Sequence, residues 1–345
     1  MVLRLLRLLL FPLALLYDAV MRLRNHMYNS GYKPSVQFDV FTICVGNLNV
    51  GGAGKTPMVE YLVRLLEGLP LATLSRGYGR KTRGFRMAGD EDEAATLGDE
   101  PYQLYRKFGH RVAVAVGEER VLAIPHILHE KPEVQVVVLD DAFQHRRIRP
   151  HFSILVTEFQ QPFYRDFVLP AGNLREARRG AGRAQAVVVT KCRPTISVAQ
   201  RQQIEKQVQR YAGPVPVFFS TIAYGQPVGF GKKTALTRSV VVVTGIAHGA
   251  SFIHHLSEQL EVVKHFQFAD HHRYELKDLQ AIQTWCQRHG CVAVTTEKDM
   301  VRLIAPQLTS MVSEIPFFYV PIEMRFIENG SEFDRLVRDQ VEKGV

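Results

Sequence analysis

The chain has 345 residues, room for about two domains at roughly 100–200 residues each, and its 46% apolar content with 25 Gly and 17 Pro excludes a collagenous or largely disordered protein. Cys44, Cys192, Cys286 and Cys291 fall at irregular spacings with no C-x-x-C pair, which argues against a zinc ribbon or a secreted disulfide framework and fits a reducing cytosol. Lys and Arg (43) exceed Asp and Glu (34), a net charge of +9 that favours anionic partners: nucleic acid, phosphorylated ligands or an acidic membrane surface.

In chain order, residues 1–33 come first. Leu8 to Tyr17 is an apolar run bounded by Arg7 and Asp18. Spanning a bilayer takes roughly 20 apolar residues, so the run is too short, and no small-x-small cleavage site marks it as a signal peptide. It reads as an amphipathic helix in the membrane interface, leucines in the acyl boundary and Arg4, Arg7, Arg22 and Arg24 at anionic head groups, with Pro12 as a kink. The competing reading is a helix packed on the protein's own core.

Residues 34–223 alternate apolar runs with amphipathic stretches. Strands are expected at Val40 to Val45, Leu71 to Leu74, Val112 to Val116, Val134 to Leu139, Ile154 to Val156, Ala186 to Val189 and Val215 to Phe219, with helices at Met58 to Glu67, Tyr102 to Phe108 and Arg120 to His129. Strands apolar throughout and separated by helices predict an α/β protein, a mostly parallel sheet with helices on both faces. The turn-rich residues 224–238 read as a linker, and residues 239–345 as a second, smaller α/β unit with strands at Ser239 to Val243, Val262 to Phe266, Val292 to Thr295 and Phe317 to Val320.

The first expected strand runs into Asn49-Val50-Gly51-Gly52-Ala53-Gly54-Lys55-Thr56 and then a helix, which is the context of a nucleotide-binding P-loop. Glycines let backbone N–H groups converge on phosphate oxygens, Lys55 reaches the β and γ phosphates, and Thr56 ligates Mg²⁺. The strict pattern has Gly where this chain has Asn49, a residue that tolerates positive φ. The strand from Val134 ends in Asp140 and Asp141, and such carboxylates beside a P-loop can hold Mg²⁺, whereas one of them can equally start a turn.

Further loops fall at expected strand ends. Arg76, after Leu71 to Leu74, either grips a phosphate or sits on a solvated loop. Asp99 and Glu100 precede a helix, where Asp99 is an N-cap or a carboxylate serving an acceptor hydroxyl. Gln144 and His145 continue the edge begun by the two aspartates, and Arg175 lies in a Gly/Pro loop. In the second unit Asp270, His271 and His272 have no Cys partners, so zinc is not expected, and His271 is either an acid–base group or a surface residue.

Together, G-N-x-x-V-G-G-x-G-K-T-P at Gly46 to Pro57, L-S-R-G-Y-G at Leu74 to Gly79, G-D-E-P at Gly98 to Pro101, L-D-D-x-x-Q-H at Leu139 to His145, L-P-A-G-x-L-R-E at Leu169 to Glu176 and F-A-D-H at Phe268 to His271 resemble the tetraacyldisaccharide 4'-kinase family, the lipid A 4'-kinases. The resemblance implies a P-loop NTPase-like fold and ATP- and Mg²⁺-dependent phosphorylation of the 4'-hydroxyl of a tetraacylated disaccharide 1-phosphate at the cytoplasmic face of the bacterial inner membrane. It implies that Lys55 and Thr56 bind phosphates and metal, that Asp140, Asp141 and Glu100 join Thr56 in the metal set, and that Asp99 paired with His271 activates the hydroxyl. Arg76, Gln144, His145 and Arg175 would bind substrate. Ala142 and Ala177 depart from the usual Gly and Pro, and Gly245-Ile246-Ala247-His248 matches the family's glycine loop only loosely.

The rival class is a membrane-associated P-loop switch ATPase, but such loops carry Lys directly before Gly-Gly-x-Gly-Lys, where this chain has Val50. No nucleic-acid module is recognised, so no nucleic acid is expected as partner, and no obligate protein partner is inferred.

Overall fold

The computed structural model describes residues 9–247 and 249–345, so Arg4 and Arg7 of the amino-terminal segment and His248 of the Gly245 loop lie outside the described residues. Helix α1 (Phe11–Asn29) leads into strands β1 (Phe41–Gly46), β2 (Leu71–Ser75), β3 (Arg86–Met87), β4 (Ala113–Val116), β5 (Val136–Asp140), β6 (Phe152–Glu158), β7 (Ala186–Thr190) and β8 (Val217–Tyr224). Between them run α2 (Lys55–Leu65), α3 (Ala94–Leu97), α4 (Asp99–Phe108), α5 (Arg120–Glu130) and α6 (Val198–Ala212). There follow β9 (Val228–Gly229), β10 (Ser239–Thr244), α7 (Ala250–Ser257), β11 (Glu261–Gln267), α8 (Leu276–His289), β12 (Val292–Thr296), α9 (Glu297–Leu303), α10 (Thr309–Val312), β13 (Phe317–Val320), β14 (Ile322–Phe326) and α11 (Gly330–Glu342).

The strands form a nine-stranded sheet, β14-β8-β7-β6-β1-β5-β2-β4-β3, and a five-stranded one, β11-β10-β12-β13-β9. Side chains alternate across each strand, so β1 sends Ile43 and Val45 into a core with Met58 and Leu62 of α2 and Leu104 of α4, while Cys44 joins Ile124 of α5 and Val208 of α6 on the other face. Burial on both faces explains the uniformly apolar strands. β1 pairs in parallel with both β5 and β6, and Val45 stands opposite Asp140 and Ile154. Strands β2 to β5 lie on one side of β1 and β6 to β8 on the other, and this reversal of strand order opens a crevice at the carboxyl ends of these strands.

The carboxyl terminus departs from the expected unit 239–345. β14 pairs antiparallel with β8, and α11 lays Phe333, Val337 and Val341, spaced i, i+4, i+8, into the same core as Ile43. The chain therefore returns to the larger sheet after β13. Residues 224–238 are likewise more than a linker, since β9 pairs with β13 at the edge of the smaller sheet.

Helix α1 inverts the usual amphipathic pattern. Its inward side, with Tyr17, Arg24 and Asn25, hydrogen-bonds to loops of the larger unit, while Leu13, Leu16, Val20 and Leu23 are 56%, 64%, 57% and 62% exposed along one stripe. Pro12 lies in its first turn, where it lacks an N–H that the helix would not use, so it starts the helix rather than kinking it. Arg22 pairs with Asp18 at 2.7 Å, and Arg24 turns to the protein rather than outward. No described helix is long and apolar enough to cross a membrane.

Candidate functional site

The glycine loop leaves β1 and is pinned from behind. The Thr190 hydroxyl donates to the Ala53 carbonyl at 2.7 Å and Lys191 Nζ to the Gly52 carbonyl at 2.6 Å. Gly54 has φ of +85° and caps α2, and a side chain there would press on Thr190. Asn49 needs no such freedom, because its φ is not positive; its side-chain amide donates to Asp166 at 3.2 Å. That contact explains how the loop dispenses with the first glycine. Lys55 opens α2, its ammonium 3.2 Å from Asn47 Oδ1 and 3.6 Å from Asp141 Oδ1. Thr56 follows in the first turn, half-buried. A shallow cavity at the loop's mouth is lined by loop residues together with Glu158 and Gln161.

Asp140 and Asp141 share this edge in different states. Asp140 ends β5, buried, with its Oδ1 bonded to nothing among the described residues. Burial, with the charges of Glu100 and Asp141, pushes it up to about 7. Asp141, at φ of +47°, accepts Arg175 Nη1 at 2.9 and 3.1 Å. Burial would raise it too, but Lys55 and Arg175 outweigh that and hold it below the usual carboxylate range. Gln144 Nε2 donates to the Asn47 carbonyl at 2.8 Å and to Glu176, while its Oε1 accepts from Arg175, so Gln144 and Arg175 brace the two motifs against each other.

His145 and Arg76 lie on a cationic flank with Arg120. Burial first, then Arg120, Arg147, Arg24 and Arg76, pushes His145 down to about 4, so it is neutral near pH 7. Its Nε2 and the Nε of buried Arg120 are both shielded and unbonded among the described residues. Arg76 is exposed.

Across the crevice, Asp99 is the first residue of α4. Gly98 takes the N-cap position, with φ of +95°, so Asp99 is not the cap. Its Oδ2 instead accepts His271 Nδ1 at 3.0 Å and Arg302 Nε at 2.7 Å, both from the smaller unit. Burial opposes ionisation, but the hydrogen bond from His271 and the charge of Arg302 hold Asp99 below its ordinary value. Lys298 bridges Glu100 at 3.1 Å and His271 Nε2 at 3.4 Å, and through the field of Glu100 on Asp140 the two sides of the crevice are joined. The Gly245 loop backs this cluster: its carbonyl accepts Arg302 and its N–H donates to Asp299, a buried carboxylate also bonded by Tyr274.

The structure brings the glycine loop, Lys55, Asp141, Gln144 and Arg175 together on one side and Asp99, Glu100 and His271 together on the other, whereas His272 bonds Asp278 at 2.8 Å. Asn47, Arg120, Lys298, Asp299 and Arg302 were missed. Thr296 and Asp299 form a T-x-x-D helix-start signal that was readable, and the cap is there, Asp299 N–H donating to the Thr296 hydroxyl at 3.1 Å. Nothing local announces that Arg302 reaches Asp99.

A glycine loop delivering Lys and Thr to a helix start, beside strand-end carboxylates and opposite a carboxylate–histidine pair, defines a P-loop phosphotransferase on a doubly wound α/β sheet. The family model described as tetraacyldisaccharide-1-P 4'-kinase matches residues 6–342. The chain is 41% identical over 341 residues to the tetraacyldisaccharide 4'-kinase of Cytophaga hutchinsonii, covering 97% of this chain and 96% of that protein. It is 39% identical over 348 residues to that of Flavobacterium johnsoniae, covering 99% of both. Its structure is similar to that of LpxK from Aquifex aeolicus, crystallised in complex with ATP, with a TM-score of 0.76, 27% identity and coverage of 97% of this chain and 99% of that one. The chain belongs to the tetraacyldisaccharide-1-P 4'-kinase family.

Proposed function

We propose that the protein transfers the γ-phosphoryl group of ATP to the 4'-hydroxyl of a tetraacylated disaccharide 1-phosphate, the lipid A precursor, at the cytoplasmic face of the inner membrane. The observation that carries this reading is the Asp99 carboxylate: His271 and Arg302 both bond its Oδ2, while Oδ1 carries no hydrogen bond among the described residues. That oxygen is available to an acceptor hydroxyl across the crevice from Lys55.

The loop amides and the α2 N-terminus attract the triphosphate, and Lys55 and Arg175 stabilise charge on its terminal oxygens. The residues present fit a divalent cation, because Asp140, next to Asp141 in the chain, has a buried oxygen unbonded among the described residues, and Thr56 supplies a further hard donor. Thr56, Asp140, Asp141 and Glu100 would hold Mg²⁺, which when bound neutralises phosphate charge. Asp99 orients the 4'-oxygen. As that oxygen bonds to phosphorus and the bridging bond to ADP breaks, the hydroxyl proton passes to the Asp99–His271 pair. Arg76 and Arg120 offer cationic ground for the acceptor's own phosphate, with the neutral imidazole of His145 beside them.

Helix α1 accounts for the lipid side. A helix that buries its polar face on the protein and exposes a leucine stripe fits an acyl boundary better than water. Labelled ATP and the disaccharide 1-phosphate in mixed micelles test the proposal: one phosphate should appear on the glycolipid for each ADP formed. ATP turnover that leaves the glycolipid unmodified would establish the switch ATPase instead.

A further inference from the structure

Three helices begin at the crevice. Lys55 opens α2, Asp99 opens α4, and α9 brings Lys298 and Arg302 from the smaller unit. The same three helices also meet at a second, buried ionic node, which lies farther along α2 and α4 and at the first residue of α9. Glu60 of α2, 1% exposed, and Glu297 of α9, 4% exposed, share one ammonium, that of Lys107 on α4, at 2.6 and 2.9 Å. Gln103, one turn before Lys107, donates to Glu60 at 2.8 Å and to Glu297 at 3.5 Å. Among the described residues none of these four bonds to Lys55, Asp99, Asp140 or Asp141.

Stability alone does not explain such a node, since apolar residues of similar volume often serve a buried site equally well or better. What an apolar contact lacks is direction. A lysine held at 2.6 and 2.9 Å between carboxylates on two different helices ties those helices together, and a slide of α9 against α4 beyond the reach of its stem breaks one of its bonds. The same slide would carry His271, Lys298 and Arg302 away from Asp99 and Glu100.

We propose that Lys107 is a positioning residue for the phosphoryl transfer: by clamping Glu60 and Glu297 it fixes the smaller unit against the P-loop helix, so that the His271 side of the crevice stays aligned with Lys55. The inference rests on the kinase reading above. Two measurements test it, each made well below the melting temperature of every variant. In the first, Lys107→Met should lower kcat by about 10- to 100-fold, the scale of a misplacement of order 1 Å, with KM for ATP changed by less than about twofold. In the second, spin labels on Lys131→Cys and Lys277→Cys, exposed positions on the two units, should give a distance distribution that broadens when Lys107→Met is added. Combining Lys107→Met with Glu60→Gln and Glu297→Gln removes the unbalanced buried charge; it should recover melting temperature but neither kcat nor the narrow distribution. An unchanged kcat or distribution in Lys107→Met, or recovery of both in the triple variant, overturns the proposal. Wild-type protein that never phosphorylates the glycolipid defeats the kinase reading instead, and the label distances still decide whether the clamp exists.

Discussion

Lys55 and Thr56 reach their place within one unbroken stretch, β1, the glycine loop and the start of α2, whereas Asp99 meets His271 and Arg302 across separations of 172 and 203 residues. The electrostatics differ as well. On the nucleotide side Asp140 is buried among like charges and raised, a site that improves when a cation arrives. On the acceptor side Asp99 is lowered by a histidine and an arginine, a site whose charge is already compensated within the folded chain. The first half waits for its ligands; the second is preorganised and depends on how the smaller unit is held. Substitutions in the two halves should therefore fail in different ways.

The largest effect is expected at Asp99. Asp99→Ala should lower kcat by about 10²–10⁴ while leaving nucleotide affinity near that of the wild type, because the P-loop is untouched. Steady-state kinetics with a nucleotide-binding titration check both halves of that statement. A variant that lost ATP binding would show the two sides to be inseparable. Lys55→Ala is the mirror case: about 10²–10³ in kcat, as for loss of one charged transition-state contact, together with weaker ATP binding.

The same contrast explains what was legible in the sequence. The P-loop is a local device, so residue type, spacing and the flanking strand and helix identified Lys55 and Thr56 without tertiary knowledge. Asp140 and Asp141 followed from carboxylates ending an apolar strand. The Asp99–His271 pairing came from resemblance alone, because spacing carries no trace of a contact between units, and Arg302 was missed since an Arg in the last turn of a short helix reads as an ordinary helix end. β14 and α11 were lost for a related reason: the assumption that consecutive segments stay together assigned them to the smaller unit, although Phe333, Val337 and Val341 already spelled a helix face that needed a core.

A third face, α1, tests whether lipid docking is separate from both halves. Replacing Leu16 and Leu23 by Glu removes about 1.5–3 kcal/mol of apolar transfer at each site, so partition onto anionic vesicles should weaken by at least about tenfold. Activity on acceptor dissolved in detergent micelles should stay within about twofold of wild type, since neither side chain touches the crevice. Sedimentation with vesicles and the micelle assay measure the two quantities. Equal losses in both would mean that α1 supports Arg175 and Gln144 rather than the membrane contact.

The smallest effect is a difference in sign. In the folded, ligand-free chain Asp140 lies near 7 against an ordinary 3.8, so between about pH 4 and pH 7 the folded state keeps a proton that the unfolded chain has released. Stability then falls as pH rises through that window, and the full cost is present at pH 8. Asp99 is the reverse: its lowered value contributes stability above the ordinary carboxylate range, and that contribution disappears only as pH falls through its folded value. Without nucleotide or metal, Asp140→Asn should therefore raise the melting temperature by roughly 1–2 °C for each kcal/mol gained, more at pH 8 than at pH 5, while Asp99→Asn should lower it at both. Thermal melts at the two pH values give the signs directly. If Asp140→Asn lowered stability at pH 8, the buried carboxylate would have a partner in the folded chain, and the contrast between a waiting and a compensated half of the crevice would fail.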